Sequence, residues 1–222
     1  MGIIRADDYY LQHRDTYPEP LRLRLHRSLS WLKRAEAAED LDTRFITLWI
    51  AFNAAYAREI DGRTLPGDRS DFRGFLRTVC RMDRDKAVYQ LVWQTFSGSI
   101  RVLLENRFVF QPFWDFHNGK ISEDAWLNDF AQAKRKAQAA LAAQDTDTVL
   151  LVVFDRLYML RNQMVHGGAT FESRANRSQL RDACAVLSGL IPLILMVMQQ
   201  NAGHDWGKPF YPYIEGEGGE YA

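Results

Sequence analysis

The sequence has few cysteines, no excess charge of either sign and no long apolar run. Its two cysteines, Cys80 and Cys184, lie far apart and share no C-x-x-C or histidine-rich spacing, which excludes a disulfide scaffold and the usual zinc layouts. The 28 basic and 28 acidic residues cancel, so no overall field points to nucleic acid or an anionic membrane. The longest apolar stretch, 185–198, is too short to cross a bilayer. We therefore expect a protein of the reducing cytoplasm without a membrane partner.

Several catalytic motifs are missing as well. The chain has no Gly-x-Ser-x-Gly nucleophile elbow, no P-loop, no glycine-rich dinucleotide turn and no His-Glu-x-x-His zinc helix. No metal-ligand spacing relates the histidines at the following positions: His13, His26, His117 and His204. These absences argue against the common hydrolase and NTPase classes, and we expect neither a metal nor a cofactor.

Hydrophobic spacing predicts helices along most of the chain. Leucines spaced three and four residues apart from Leu21 to Leu32 form one apolar stripe, and Phe45, Trp49 and Phe52 form another on the helix expected to be most buried. Further helices are predicted over 68–82, 85–106 with a break near Gly98, 122–143, 148–166 and 174–200. No alternating strand pattern or internal repeat is visible, so the predicted fold is an all-α antiparallel helical bundle.

The segments outside these helices indicate how the chain is divided into regions. The aromatic run at 108–116, broken by Pro112, predicts a packed connection rather than a helix. Residues 1–20 are assigned to an N-terminal extension and 21–200 to the helical domain. Residues 201–222 are rich in glycine, proline and tyrosine and carry mainly acidic charge, which predicts an irregular tail.

One polar cluster stands out at the end of the helix predicted over 148–166. Arg161, Asn162 and His166 lie close together, directly before two glycines. Asn162 and His166 are four residues apart and point the same way, whereas Leu157 and Met164 point roughly opposite. A histidine that moves protons near neutral pH and an arginine that binds phosphate suit phosphodiester chemistry. Each residue also has a structural interpretation, as a helix cap, an ion-pair partner or a surface group.

Here the sequence resembles the HEPN superfamily, whose members carry Arg, four to six residues and His near the end of a helix. The aromatic helix at 45–54 and the run at 159–170 resemble the Apea-like branch of that superfamily. The resemblance covers roughly 21–200. It implies a metal-independent endoribonuclease with Arg161, Asn162 and His166 as catalytic residues, in which two copies of the motif face each other across a homodimer.

In such enzymes the ribose 2′-hydroxyl attacks the adjacent phosphate and leaves a 2′,3′-cyclic phosphate. Arg174, Arg177 and Arg181 fall on one face of the next predicted helix and are interpreted as RNA-binding. A second row of arginines lies near several aspartates and is interpreted mainly as a solvated face; it comprises Arg69, Arg73, Arg77 and Arg81.

Two hypotheses follow from the resemblance. The first is the ribonuclease, in a defence or toxin–antitoxin system with an antitoxin or regulatory protein as partner. The second is a non-catalytic HEPN module that dimerises or binds a nucleotide or a protein, which the neutral charge favours. Some HEPN proteins are modified on a tyrosine two positions after the histidine, but Gly168 stands there in this chain. That mode of control is therefore not expected.

Overall fold

The computed structural model describes residues 2–57, 69–174 and 176–211. Within these ranges every regular element is a helix, which confirms the all-α prediction. Short turns of 3₁₀ helix lie at Arg14–Thr16 and Arg107–Val109. The α-helices are α1 (Gly2–His13), α2 (Glu19–Glu36), α3 (Leu41–Tyr56), α4 (Arg69–Met82), α5 (Ala87–Gln90), α6 (Ser97–Glu105), α7 (Gln111–His117), α8 (Glu123–Ala142), α9 (Thr146–Val165) and α10 (Arg177–Gln200).

Helices α3 and α10 form the centre of the bundle. Phe45, Trp49 and Phe52 of α3 are buried, as their spacing predicts. Helix α10 packs against α1, α3 and α6. Among the described residues, α10 is long and apolar enough to span a membrane, although 67% of that window is buried inside the bundle. The stretch 185–198 alone is too short to cross a bilayer, but the whole of α10 is not. Its apolar residues are explained by its position at the centre of the bundle.

The helix predicted over 85–106 is broken, but the break lies at 91–96, just before Gly98 where it was expected. The structure divides it into α5, a π-helical turn at Leu91–Thr95, and α6, with Phe96 leaving the helical conformation at φ −114° and ψ 15°. The Phe96 ring packs on α10 so closely that a Cβ atom on Gly189 would lie 2.7 Å from it. The break turns this half-buried ring against the core, and Gly189 leaves room for it.

The aromatic run at 108–116 also differs from its prediction as a connection without helix. It contains most of α7, in which Pro112 occupies the second position. Proline is tolerated there because the first backbone N–H groups of a helix have no partner within the helix. Phe113 is buried, and its ring meets that of Trp126 on α8 at 5.2 Å. The aromatic residues therefore dock α7 on α8.

Residues 2–20 belong to the same packed body as the helices that follow. Ile3, Ala6 and Tyr10 of α1 are buried. The side-chain amide of Gln199 on α10 donates a hydrogen bond to the Ala6 carbonyl at 3.2 Å. The segment assigned to an N-terminal extension thus contributes one face of the core.

A buried arginine joins three parts of the bundle. Arg24 on α2 is fully buried and donates hydrogen bonds to four backbone carbonyls. Two of them, at Ala55 and Ala57, lie at the end of α3, 3.0 and 2.8 Å away. The other two, at Gly207 and Lys208, follow α10 at 3.2 and 2.9 Å. One buried guanidinium therefore donates both to the end of α3 and to the segment after α10.

The described start of the predicted tail is held against the bundle. Trp206 is buried, packs on Phe75 of α4 at 5.9 Å and donates its indole N–H to the Asn201 carbonyl at 3.1 Å. Residues 201–211 form no helix or extended strand of their own, as predicted. Residues 212–222 of the predicted tail lie outside the described residues.

We predict that Arg24→Met lowers the free energy of unfolding by about 3 kcal/mol or more, because four carbonyls lose a charged donor. Urea unfolding followed by circular dichroism measures the change. The matched control is Arg22→Met, two residues away on the exposed side of α2, which should shift stability by less than about 0.5 kcal/mol. Equal effects of the two substitutions would contradict the assigned role of Arg24.

A second prediction concerns Asp40, which caps α3 by accepting the Thr43 N–H at 2.7 Å. That backbone hydrogen bond is the main cause that lowers the pKa of Asp40 from its usual 3.8. The stabilisation is therefore present above pH 3.8 and is lost as the pH falls through the lower folded-state pKa. Asp40→Ala should cost about 1 kcal/mol near neutral pH.

The same unfolding measurement, repeated at acidic pH, should show the Asp40→Ala deficit shrinking. Asp40→Asn is the control, since its amide oxygen still accepts the hydrogen bond without a titrating group. It should retain most of the stability. An alanine deficit that is the same at acidic and neutral pH would show that the carboxylate charge is not involved.

Candidate functional site

The site lies at the C-terminal end of α9, whose opposite face is anchored in the core. Asp145 caps the start of the helix by accepting the Thr148 N–H at 3.2 Å. Val153, Phe154 and Leu157 are fully buried. Because these residues fix the rotation of α9 about its axis, the polar residues near its end are held in a defined direction.

Arg161, Asn162 and His166 occupy the last turn of this helix and its C-cap. The Arg161 guanidinium donates through Nη1 to Asn162 Oδ1 at 2.9 Å, and both side chains are half-buried. His166 is the C-cap and is exposed, and its backbone N–H bonds to the Asn162 carbonyl at 3.0 Å. The structure thus turns Arg161 toward Asn162 and leaves the imidazole accessible to a ligand.

Two glycines end the helix directly after His166. Gly167 has a positive φ of 70° and bonds through its N–H to the Met164 carbonyl, while the Gly168 N–H bonds to the Gln163 carbonyl at 2.6 Å. This pair of hydrogen bonds is the Schellman arrangement. A Cβ atom on Gly168 would lie 2.9 Å from the Gln163 carbonyl oxygen. A tyrosine at that position would therefore disturb the helix end.

Gln163 is a site residue that the sequence analysis missed. Its amide Nε2 donates to the Phe108 carbonyl at 2.6 Å, and its Oε1 accepts from Asn176 Nδ2 at 3.2 Å. Together with the bond from Gly168, these contacts join α9, the 107–109 turn and the loop before α10. Its place between Arg161 and His166 was the only signal in the sequence, because both partners are distant along the chain.

The three arginines interpreted as RNA-binding do not share one helical face. Helix α10 begins at Arg177, so Arg174 lies in the preceding loop. Arg174 and Arg181 are exposed. Arg177 forms a two-point ion pair with Asp42 of α3 at 2.5 and 2.7 Å, and this hydrogen bonding is the main cause that raises the pKa of Arg177. Its guanidinium therefore already has an anionic partner.

The second arginine row also contains both ion-paired and exposed side chains. Arg73 of α4 forms an ion pair with Asp155 of α9. Asp155, Asn162 and His166 form a polar band along one side of this helix. Arg77 and Arg81 are exposed, which agrees with their interpretation as a solvated face. The side chain of Arg69 lies outside the described residues.

No group of three or more histidine, cysteine, aspartate or glutamate side chains in the described part of the chain is arranged to hold a metal ion. The chain matches no family model, and comparisons with curated proteins and with solved structures also found no match.

Proposed function

We propose that the chain is a metal-independent endoribonuclease of the HEPN type. The observation that carries the proposal is the last turn of α9. There an amide holds the half-buried Arg161 guanidinium, and His166 stands exposed at the end of the same helix. These are a phosphate-binding group and a proton-transfer group on one rigid element.

The proposed reaction needs only groups that the site and the substrate supply. His166 removes the proton from a ribose 2′-hydroxyl, whose oxygen attacks the adjacent phosphorus. Arg161 stabilises the charge that grows on the phosphate oxygens. The bond to the 5′-oxygen breaks, the protonated His166 gives its proton to that oxygen, and the products are a 2′,3′-cyclic phosphate and a 5′-hydroxyl. Asn162 orients the arginine through its side-chain oxygen.

The proposal includes a homodimer in which two such sites form one groove. The polar band of α9 faces away from its own core, and exposed apolar side chains lie next to it in the chain. Val165 is 53% exposed and Phe171 is 67% exposed. A two-fold contact at this end would bury these apolar groups and bring the two His166 side chains together.

The second candidate is a non-catalytic HEPN module that binds a nucleotide or an antitoxin-like or regulatory protein. The ion pairs favour it, since Arg177 and Arg73 are already paired with Asp42 and Asp155. The zero net charge also provides no general attraction for RNA. Under this hypothesis the α9 end binds a partner without cleaving RNA.

We predict that His166→Ala and Arg161→Ala each reduce RNA cleavage by about 10²–10⁴-fold, the loss expected for acid–base or oxyanion support. Asn162→Ala should cost less, because its role is orientation. Cleavage is measured on labelled RNA in the presence of a chelator, with end-group analysis for the cyclic phosphate. DNA of the same sequence should stay intact because it lacks the 2′-hydroxyl.

His26→Ala, which removes an exposed histidine from α2, is the control and should cleave at the wild-type rate. Circular dichroism should show that the α9 variants remain folded. Wild-type activity in His166→Ala, or cleavage abolished by chelator, would reject the mechanism and favour the binding module.

The dimer is tested by light scattering, which should report twice the chain mass of 25.7 kDa. Val165→Lys with Phe171→Lys should shift the protein toward the monomer, because like charges would then meet across the two-fold contact. Leu127→Lys replaces an exposed leucine on α8 and should leave the mass unchanged. A wild-type monomer at micromolar concentration would rule out the composite site.

A further inference from the structure

The segment at 107–110 is fixed against α9 beside the candidate site. Gln163 donates to the Phe108 carbonyl at 2.6 Å. Seven residues earlier on α9, the Arg156 guanidinium lies over the Phe110 ring at 4.4 Å. Arg156 is only 4% exposed, and its Nε has no hydrogen-bond partner among the described residues, so the ring lies against a buried charge. These two contacts hold the segment along one side of α9.

Arg107, the first residue of this segment, is exposed to solvent. Its guanidinium lies 5.1 Å from the centre of the Phe108 ring and 5.6 Å from that of Phe113. None of the ion pairs in the described ranges includes it. The two rings restrict the side chain while leaving its charge unneutralised. By contrast, Arg177 is neutralised by Asp42.

The segment contacts α9 at Gln163, three residues before His166, which is the C-cap of that helix. Each residue turns the helix by about 100°, so residues three apart lie on neighbouring tracks of its surface. Gln163 and His166 have that spacing, and Gln163 contacts Phe108. The 107–110 segment therefore borders the polar band on the side of the histidine.

We propose that Arg107 and Phe108 form a subsite for the nucleotide adjacent to the cleaved phosphodiester. The Arg107 guanidinium binds the phosphate of that nucleotide, and the exposed part of the Phe108 ring, which is 40% exposed, contacts its base. The subsite rests on the proposed ribonuclease function for the identity of its ligand. Recognition of this nucleotide is thereby assigned to a segment outside the Arg161–His166 motif.

The test measures binding separately from cleavage. The probe is a short fluorescein-labelled oligoribonucleotide with 2′-O-methyl riboses, which cannot undergo 2′-hydroxyl attack, and its binding to the full chain is followed by anisotropy. Arg107→Gln should weaken binding about tenfold and reduce the slope of log Kd against log salt by about 0.7, the value for one phosphate contact on a single strand. Phe108→Ala should weaken binding at least about fivefold.

Two control variants are Arg107→Lys and Arg34→Gln. The lysine variant keeps the charge and should restore the salt slope. Arg34 is an exposed arginine on α2, and its substitution should leave Kd and slope unchanged. On cleavable RNA, Arg107→Gln should raise KM with little change in kcat, as expected for a residue that binds without taking part in the chemistry.

The outcomes separate the two proposals. Probe binding that depends on Arg107, with no cleavage of unmodified RNA, would retain the nucleotide-binding role of Arg107 and reject the ribonuclease. Cleavage with wild-type Kd and salt slope in Arg107→Gln would overturn the subsite and leave the ribonuclease standing. Absence of probe binding by the wild-type chain would overturn the subsite directly.

Discussion

The hydrogen bonds of Arg24 connect parts of the chain that lie far apart in sequence. A fully buried guanidinium is costly to desolvate, and it is tolerated here because four carbonyls accept its protons. Since these carbonyls belong to the end of α3 and to the segment after α10, the arginine fixes both ends against α2. At the other end of α3, Asp42 pairs with Arg177, so α3 is tied by arginines both to α2 and to the start of α10.

The end of α9 is likewise held by hydrogen bonds from one side chain to other segments of the chain. Gln163 uses its backbone carbonyl and both atoms of its side-chain amide to join Gly168, Phe108 and Asn176. The helix end therefore does not rely on its own hydrogen bonds alone, although terminal turns often fray. His166 is exposed to solvent and yet sits between two residues of this network, so its backbone is held while its ring stays accessible.

Most helices were predictable because apolar residues repeat at helical spacing, as Phe45, Trp49 and Phe52 show. The errors have tertiary causes. The break at Phe96 depends on the space above Gly189 in another helix, which local periodicity does not reveal. Arginine is usually exposed, so the sequence did not indicate that Arg24 is buried. At the site, the motif residues could be chosen from their spacing, whereas Gln163 and Arg107 gain their positions only from contacts between distant segments.

The arginines differ in whether their side-chain partner is charged or neutral. Arg177 and Arg73 each face a carboxylate, which cancels most of their attraction for an external phosphate. The side-chain partner of Arg161 is instead the neutral amide oxygen of Asn162. An amide orients a guanidinium as a carboxylate does, but it leaves the positive charge in place. The end of α9 therefore carries a positive charge whose direction is already set, and this combination suits it to stabilise the anion that forms in the proposed reaction.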